Sequence, residues 1–114
     1  MVFTSRAERQ FASAAERLAF GEAVSATLMD VVRNLPATLG FLVSKGGITS
    51  NDVLSAGLAL ATSRVLGQIL PGVTVVQTPA DHRLPSMPVV IFPGNVGGDD
   101  ALAEAYRRLS AASR

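Results

Sequence analysis

The sequence predicts an α/β fold: a mostly parallel sheet with flanking helices, containing two units in which an apolar strand runs through a glycine loop into a helix. Three observations carry this. Leu39-Gly40-Phe41-Leu42-Val43 and Val89-Val90-Ile91-Phe92 are short, continuous apolar runs, the pattern of strands buried on both faces, which usually lie parallel. Glycines follow each run: Gly46-Gly47 after the first, and Gly94 with Gly97-Gly98 after the second. Each loop then leads into a helix-favouring stretch, alanine- and leucine-rich over residues 53–61 in the first case. In the second, Asp99-Asp100 opens the stretch, and Leu102, Ala105, Tyr106 and Leu109 share one helical face.

Bulk properties bound the function. With 114 residues, 48% hydrophobic and 17% charged, the chain reads as one folded domain rather than a disordered segment. A chain this long buries about two-thirds of its unfolded surface, enough for a single core. Ten basic and nine acidic residues are scattered along it, giving a net charge of +1, and aromatic residues are few. Neither a basic footprint nor a base-stacking platform follows, so nucleic acid is not an expected partner. The absence of cysteine excludes disulfides, thiol catalysis and cysteine-ligated metals, and fits a cytoplasmic location. No apolar run has the length of a membrane span, and the N-terminus lacks a signal-peptide core, so no membrane partner is expected.

The chain opens with Met1-Val2-Phe3, which reads as the tail of a strand entering the polar loop Thr4-Ser5-Arg6. Ser13-Ala14-Ala15-Glu16 has capping-box spacing and opens a long helix. Leu18, Val24, Leu28, Val31, Val32 and Leu35 form its buried stripe, and Asn34 with Pro36 closes it. After the first strand–loop–helix unit, residues 64–70 read as a strand with a bulge or close backbone approach at Gly67. Pro71-Gly72 is a turn, and residues 73–76 return as a strand at a sheet edge. Residues 77–88, with three prolines and the only histidine, read as a surface loop.

The two glycine loops are the candidate site. Strand, tight turn and helix N-terminus together aim backbone N–H groups and the positive end of a helix dipole at one spot, which suits a phosphate or carboxylate. Thr49 and Asp52 have capping-box spacing on the first helix. In a parallel sheet both loops lie at the same carboxyl edge, where α/β folds bind ligands. The loops match neither a Walker loop nor a dinucleotide fingerprint, and a glycine pair here also serves as a plain turn.

Other polar residues have structural as well as functional readings. Lys45 can neutralise a phosphate or be a solvated lysine. Asp52 reads as a helix cap before a Mg²⁺ contact, His82 as a surface residue, and Asp99 and Asp100 as dipole partners. Arg6 fits a ligand contact and an exposed ion pair equally, whereas Arg107 and Arg108 belong to a polar helix face. Gly21, Gly57 and Gly67 read as close-packing positions. No metal-ligand cluster and no Ser-His-Asp arrangement can be assembled, so no catalytic residue is assigned.

The segments KGGITSNDV, VLGQILPGV and VVIFPGNVGGDDAL, in this order, resemble the C-terminal nucleotide-binding domain of the four-carbon acid sugar kinases. The resemblance extends back through FTSR at residues 3–6 and so covers nearly the whole chain. It implies an ATP-binding domain of a two-domain kinase that phosphorylates 3-oxo-tetronate, threonate or erythronate, with Mg²⁺ and ATP as cofactors. It places Gly46, Gly47, Ile48 and Thr49 at the phosphate-facing loop and Gly94 at the second nucleotide contact, with the hydroxyls of Thr49 and Ser50 as added donors. Against that family, residues 1–114 read as a single, truncated domain that begins partway into the fold and lacks the N-terminal sugar-acid domain. Catalysis by this chain alone is therefore not expected. A truncated domain would expose a strand edge and form a homo-oligomer. The alternative is a non-catalytic interaction module or remnant of the same family.

Overall fold

The computed structural model describes residues 1–112. Its elements, in chain order, are α1 (Ala14–Arg33), β1 (Leu42–Lys45), α2 (Gly47–Asp52), β2 (Arg64–Leu70), β3 (Val73–Gln77), β4 (Pro88–Phe92) and α3 (Ala101–Ala112). A π-helical turn, Val53–Gly57, continues α2. The four strands form one sheet in the order β1-β4-β3-β2. Only β1 and β4 are parallel; β4 with β3, and β3 with β2, are antiparallel. The expected mostly parallel sheet is thus corrected to a mixed, mostly antiparallel one. The Pro71-Gly72 turn folds β2 directly back on β3, and that hairpin fixes their opposite directions.

The sheet separates two apolar layers. Val76 and Val89 meet Met29 and Val32 of α1, Val53 and Leu58 at the end of α2, and Leu84 and Met87 of the following loop. Val73, Val75, Val90 and Phe92 meet Ala105 and Leu109 of α3 on the other face. Consecutive residues of β4 therefore serve alternate layers, as the two-residue period of a strand requires. This two-sided burial accounts for the unbroken run Val89-Val90-Ile91-Phe92, in which Val89 and Val90 are wholly buried. β3 is likewise internal rather than at an edge; the edge strands are β1 and β2, and β2 is exposed along most of its length.

That edge is blunted. The register slips between Val65 and Gly67 and again between Gln68 and Leu70, so Gly67 marks a bulge in open space and not a packing contact. Arg108 of α3 donates from Nη1 to the Ile69 carbonyl at 2.6 Å and is therefore more than part of a polar helix face. Both features work against pairing of β2 with another strand.

α1 begins where expected: the Glu16 N–H donates to Ser13 Oγ at 3.2 Å, and Asn34 closes the helix. The buried stripe is shorter than its periodicity implies. Met29 and Val32 are buried, but Leu18 is 65% exposed and Val31 is exposed, because only the C-terminal half of α1 lies against the α2 turn. Around its first turns Phe11 and Phe20 pack with centroids 5.2 Å apart, and the Arg9 guanidinium lies 4.9 Å from the Phe20 ring. Residues 1–5 form no strand. No helix among the described residues is long and apolar enough to cross a membrane.

The segment between β3 and β4 is not a plain surface loop. Leu84 and Met87 are buried in it, and Thr78 Oγ1 donates to the Leu84 carbonyl while accepting the Met87 N–H. His82 is a clamp, not a solvated surface residue: Nε2 lies 2.7 Å from the Leu58 carbonyl, and Nδ1 accepts the Leu84 N–H at 3.0 Å. Leu58 O accepts only from a protonated Nε2 and Leu84 N–H needs a bare Nδ1, which fixes the neutral Nε2–H tautomer.

The closest helix–helix approach depends on Gly57, where a Cβ would lie 2.7 Å from Val32 Cγ1 and 3.1 Å from Met29 Sδ. Gly21, in contrast, has nothing within 4 Å of its Cβ position. Gly57→Ala should therefore destabilise the fold by about 1–3 kcal/mol through overpacking. Gly21→Ala, in an exposed stretch of α1, should stabilise it by about 0.5–1 kcal/mol. Urea denaturation of the two variants checks both signs; equal effects would contradict this account of the α1–α2 contact.

Candidate functional site

The site is built by the one parallel pair. Lys45 and Phe92 are register partners at the carboxyl ends of β1 and β4, so the chain leaves both strands at the same edge. The Gly46 N–H donates to the Phe92 carbonyl at 2.8 Å, extending the ladder by one bond into the first loop. Gly46 then turns with φ +108°, a conformation that L side chains rarely adopt, and Gly47 already belongs to α2. The second loop, residues 93–98, leaves β4 directly beside it: a Cβ on Gly94 would lie 3.8 Å from Gly46 Cα. The two glycine loops thus touch through backbone alone.

Gly46 is the N-cap of α2, and no side chain caps this end. The first intrahelical bond runs from the Ser50 N–H to the Gly46 carbonyl at 2.9 Å, which leaves the N–H groups of Gly47, Ile48 and Thr49 ahead of the helical ladder. This corrects the capping box read at Thr49 and Asp52. A positive-φ glycine starts the helix three residues earlier, and Asp52 instead accepts a hydrogen bond from Ser25 Oγ of α1 at 2.9 Å. Ser50 is also reassigned. Its hydroxyl is buried and donates toward the Ser44 carbonyl and Ser44 Oγ, at 3.1 and 3.2 Å, so it locks α2 to β1 and is turned away from any ligand.

Of the residues expected at the site, Gly46, Gly47, Ile48 and Thr49 form the first turn, and Gly94 faces them across the gap. Ile48 is 82% exposed, so it offers its backbone here while its side chain points to solvent. Lys45, the chain's one lysine, reaches across both loops. Its Nζ lies 3.3 Å from the Gly94 carbonyl, 3.5 Å from the Pro93 carbonyl and 4.6 Å from the centre of the Phe92 ring. It is therefore held beside the loops and is not a freely solvated side chain. Gly97, with φ +85°, is structural: a Cβ there would lie 2.4 Å from Ala101 Cβ. Asp99 and Asp100 immediately precede α3, where its dipole favours acidic groups.

Sequence reasoning overlooked the Ser44–Ser50 lock. Its signal was a serine in an apolar strand, followed six residues later by a serine in the first helical turn. No group of three or more His, Asp or Glu residues among the described residues is arranged to hold a metal. Two depressions lie elsewhere: one of about 300 Å³ against the start of α1, and one of about 520 Å³ at the opposite edge of the sheet.

This geometry, with unpaired N–H groups and one ammonium converging at backbone with no side chains in the way, fits an anionic group. The profile of one family, described as a nucleotide-binding C-terminal domain, matches residues 1–102. The chain belongs to that family. No curated protein and no solved structure shows significant similarity to it. Membership of the nucleotide-binding C-terminal domain family makes a nucleotide the ligand class.

The Ser44–Ser50 lock holds the first loop in register. Ser50→Ala should cost about 1–2 kcal/mol, because it strands the buried Ser44 hydroxyl. Ser50→Ala should also raise hydrogen-exchange rates at residues 46–49 more than at β3, as measured by amide exchange. Uniform acceleration throughout the chain would show that the lock has no local role.

Proposed function

We propose that the loops at Gly46–Thr49 and Gly94 bind the phosphates of ATP, and that the chain is the ATP-binding part of a kinase acting on a four-carbon sugar acid. The observation that supports this most is the close backbone approach of the two loops at the end of the one parallel strand pair among the described residues. A polyphosphate laid across that contact would meet the N–H groups of Gly47, Ile48 and Thr49, the Thr49 hydroxyl and the Lys45 ammonium. Lys45 would exchange two carbonyl contacts for a charge-assisted bond to phosphate, which is the stronger interaction.

Mg²⁺ would enter with the nucleotide, held mainly by phosphate oxygens and water, as is usual for this ion. Asp52 is already bonded to Ser25, so it does not serve as a ligand in this arrangement. Phosphoryl transfer needs an acceptor site beside the nucleotide. On this reading the acceptor, a sugar acid, is presented by a separate sugar-acid domain. The described residues alone would bind nucleotide without turning it over.

A thermal-shift titration with Mg-ATP, with adenosine and inorganic phosphate as separate controls, tests the reading. ATP should stabilise the folded chain by about 2.7 kcal/mol at a concentration a hundredfold above its Kd. Gly47→Val should abolish the shift while keeping the melting temperature of the free protein, since nothing lies within 4 Å of a Cβ there. Lys45→Met should weaken binding about tenfold, the order of one lost charge-assisted contact. No shift with millimolar Mg-ATP, or an undiminished shift in Gly47→Val, would overturn the assignment.

A further inference from the structure

The depression of about 520 Å³ lies at the sheet edge remote from the glycine loops, where β2 begins, β3 ends and β4 begins. Its lining is mixed: the polar residues Thr62, Ser63, Arg64, Gln77, Thr78 and Ser86 share it with Pro79 and Ala80, and no acidic residue lines it. Arg64 sets it apart. Among the described residues from 13 onward, the other cationic side chains are committed. Arg17, Arg33, Arg107 and Arg108 pair with carboxylates, Arg83 donates to the Val32 and Leu35 carbonyls, and Lys45 reaches the Gly94 carbonyl. Of these side chains from residue 13 onward, only that of Arg64 has no hydrogen-bond, ion-pair or ring partner among the described residues.

The wall facing Arg64 is held firmly. The Pro79 carbonyl accepts the N–H groups of His82 and Ser86, at 3.2 and 3.3 Å. Gln77 Nε2 donates to the Ser86 carbonyl at 3.2 Å, and the Thr78 N–H donates to the Met87 carbonyl at 3.0 Å. Thr78 itself is satisfied and buried, so it forms floor and not ligand contact. Ser86 sits at φ +51°, an uncommon conformation for a residue other than glycine, stabilised here by these bonds. Gln77 and Arg64 are register partners, so the β2–β3 ladder fixes the backbone of Arg64 beside this wall.

We propose that this depression is a second binding site, specific for a small oxyanion, a carboxylate or a phosphate group on a metabolite-sized molecule. A guanidinium fork accepts either group in bidentate fashion, and its volume falls in the range of small-molecule sites. The hydroxyls of Thr62, Ser63 and Ser86 supply neutral donors around it, and the absence of acidic lining removes the repulsion that would exclude an anion. The site shares no residue with the glycine loops and stands or falls separately from them.

Backbone amide NMR of the ¹⁵N-labelled chain, titrated with sodium phosphate and, separately, with sodium succinate, tests this. At least one anion should shift the amides of residues 62–64, 77–80 and 86 in a saturable manner. The shifts should be about tenfold weaker in apparent affinity in Arg64→Gln, the loss of one charge-assisted contact, and largely retained in Arg64→Lys. Which anion binds identifies the group recognised. Absence of saturable shifts at these amides with both anions, shifts confined to residues 46–49 and 93–97, or undiminished binding in Arg64→Gln would each overturn the proposal. Arg64 is exposed, so the variants should keep the wild-type spectrum elsewhere, which shows directly that they fold.

Discussion

The hydrogen bond from the Gly46 N–H to the Phe92 carbonyl is the constraint on which the candidate nucleotide site depends. It extends the β1–β4 ladder by one rung and ties the start of the first glycine loop to the strand from which the second one leaves. Parallel pairing brings the two exits to the same edge; an antiparallel pair would send them to opposite ends of the sheet. The bond then fixes the depth at which the chain turns, and Gly46, having no Cβ, adopts the positive φ that the turn requires. Lys45, one residue earlier, is consequently carried over Phe92 and toward the Pro93 and Gly94 carbonyls. The site's backbone donors and its cation are thus consequences of one register.

The sheet's two-sided burial explains why β4 must occupy an interior position. α1 and the α2 turn cover one face and α3 the other, so a strand in the middle needs apolar residues at every position. That requirement was legible in Val89-Val90-Ile91-Phe92, and so was the glycine loop after it. Strand direction was not legible there. Two-sided burial follows from having helices on both faces, whichever way the neighbouring strands run. The Pro71-Gly72 turn carried the directional information locally, and it sets one antiparallel pair that β4 then extends to a second.

The sequence was most informative where one residue decides a local geometry. Ser13 capping α1, the bulge at Gly67 and the turn before Val73 all appear in place. It was least informative where the outcome depends on what lies across the fold. Leu18 fits the period of α1 as well as Val32 does, yet only the second half of α1 has a neighbour to bury against. Asp52 had the spacing of a cap, but Ser25, distant in sequence, claims its carboxylate. His82 gave no sign of its clamp, since its partner Leu58 is brought near by the same packing. Within the candidate site, the placement of Gly46, Gly47 and Thr49 at a strand-to-helix turn was legible because it is local and backbone-based. The inward turn of Ser50 was hidden because it answers a serine on the preceding strand.

The two ends of the sheet divide the chemistry by how each attracts an anion. At the glycine edge the donors are mainly backbone N–H groups, whose positions are fixed by strand and helix and cannot adapt to a differently shaped ligand. That rigidity suits a phosphate, which presents the same oxygens whatever molecule carries it. At the far edge the donors are side chains, Arg64 and a ring of hydroxyls, on a wall held by its own hydrogen bonds. Such donors, being side chains, can adjust to a ligand in a way that backbone N–H groups cannot. A fold with a net charge of +1 has little long-range pull on anions. Recognition of an anion at either proposed site would therefore have to come from donors at contact distance, and no carboxylate lines the far depression.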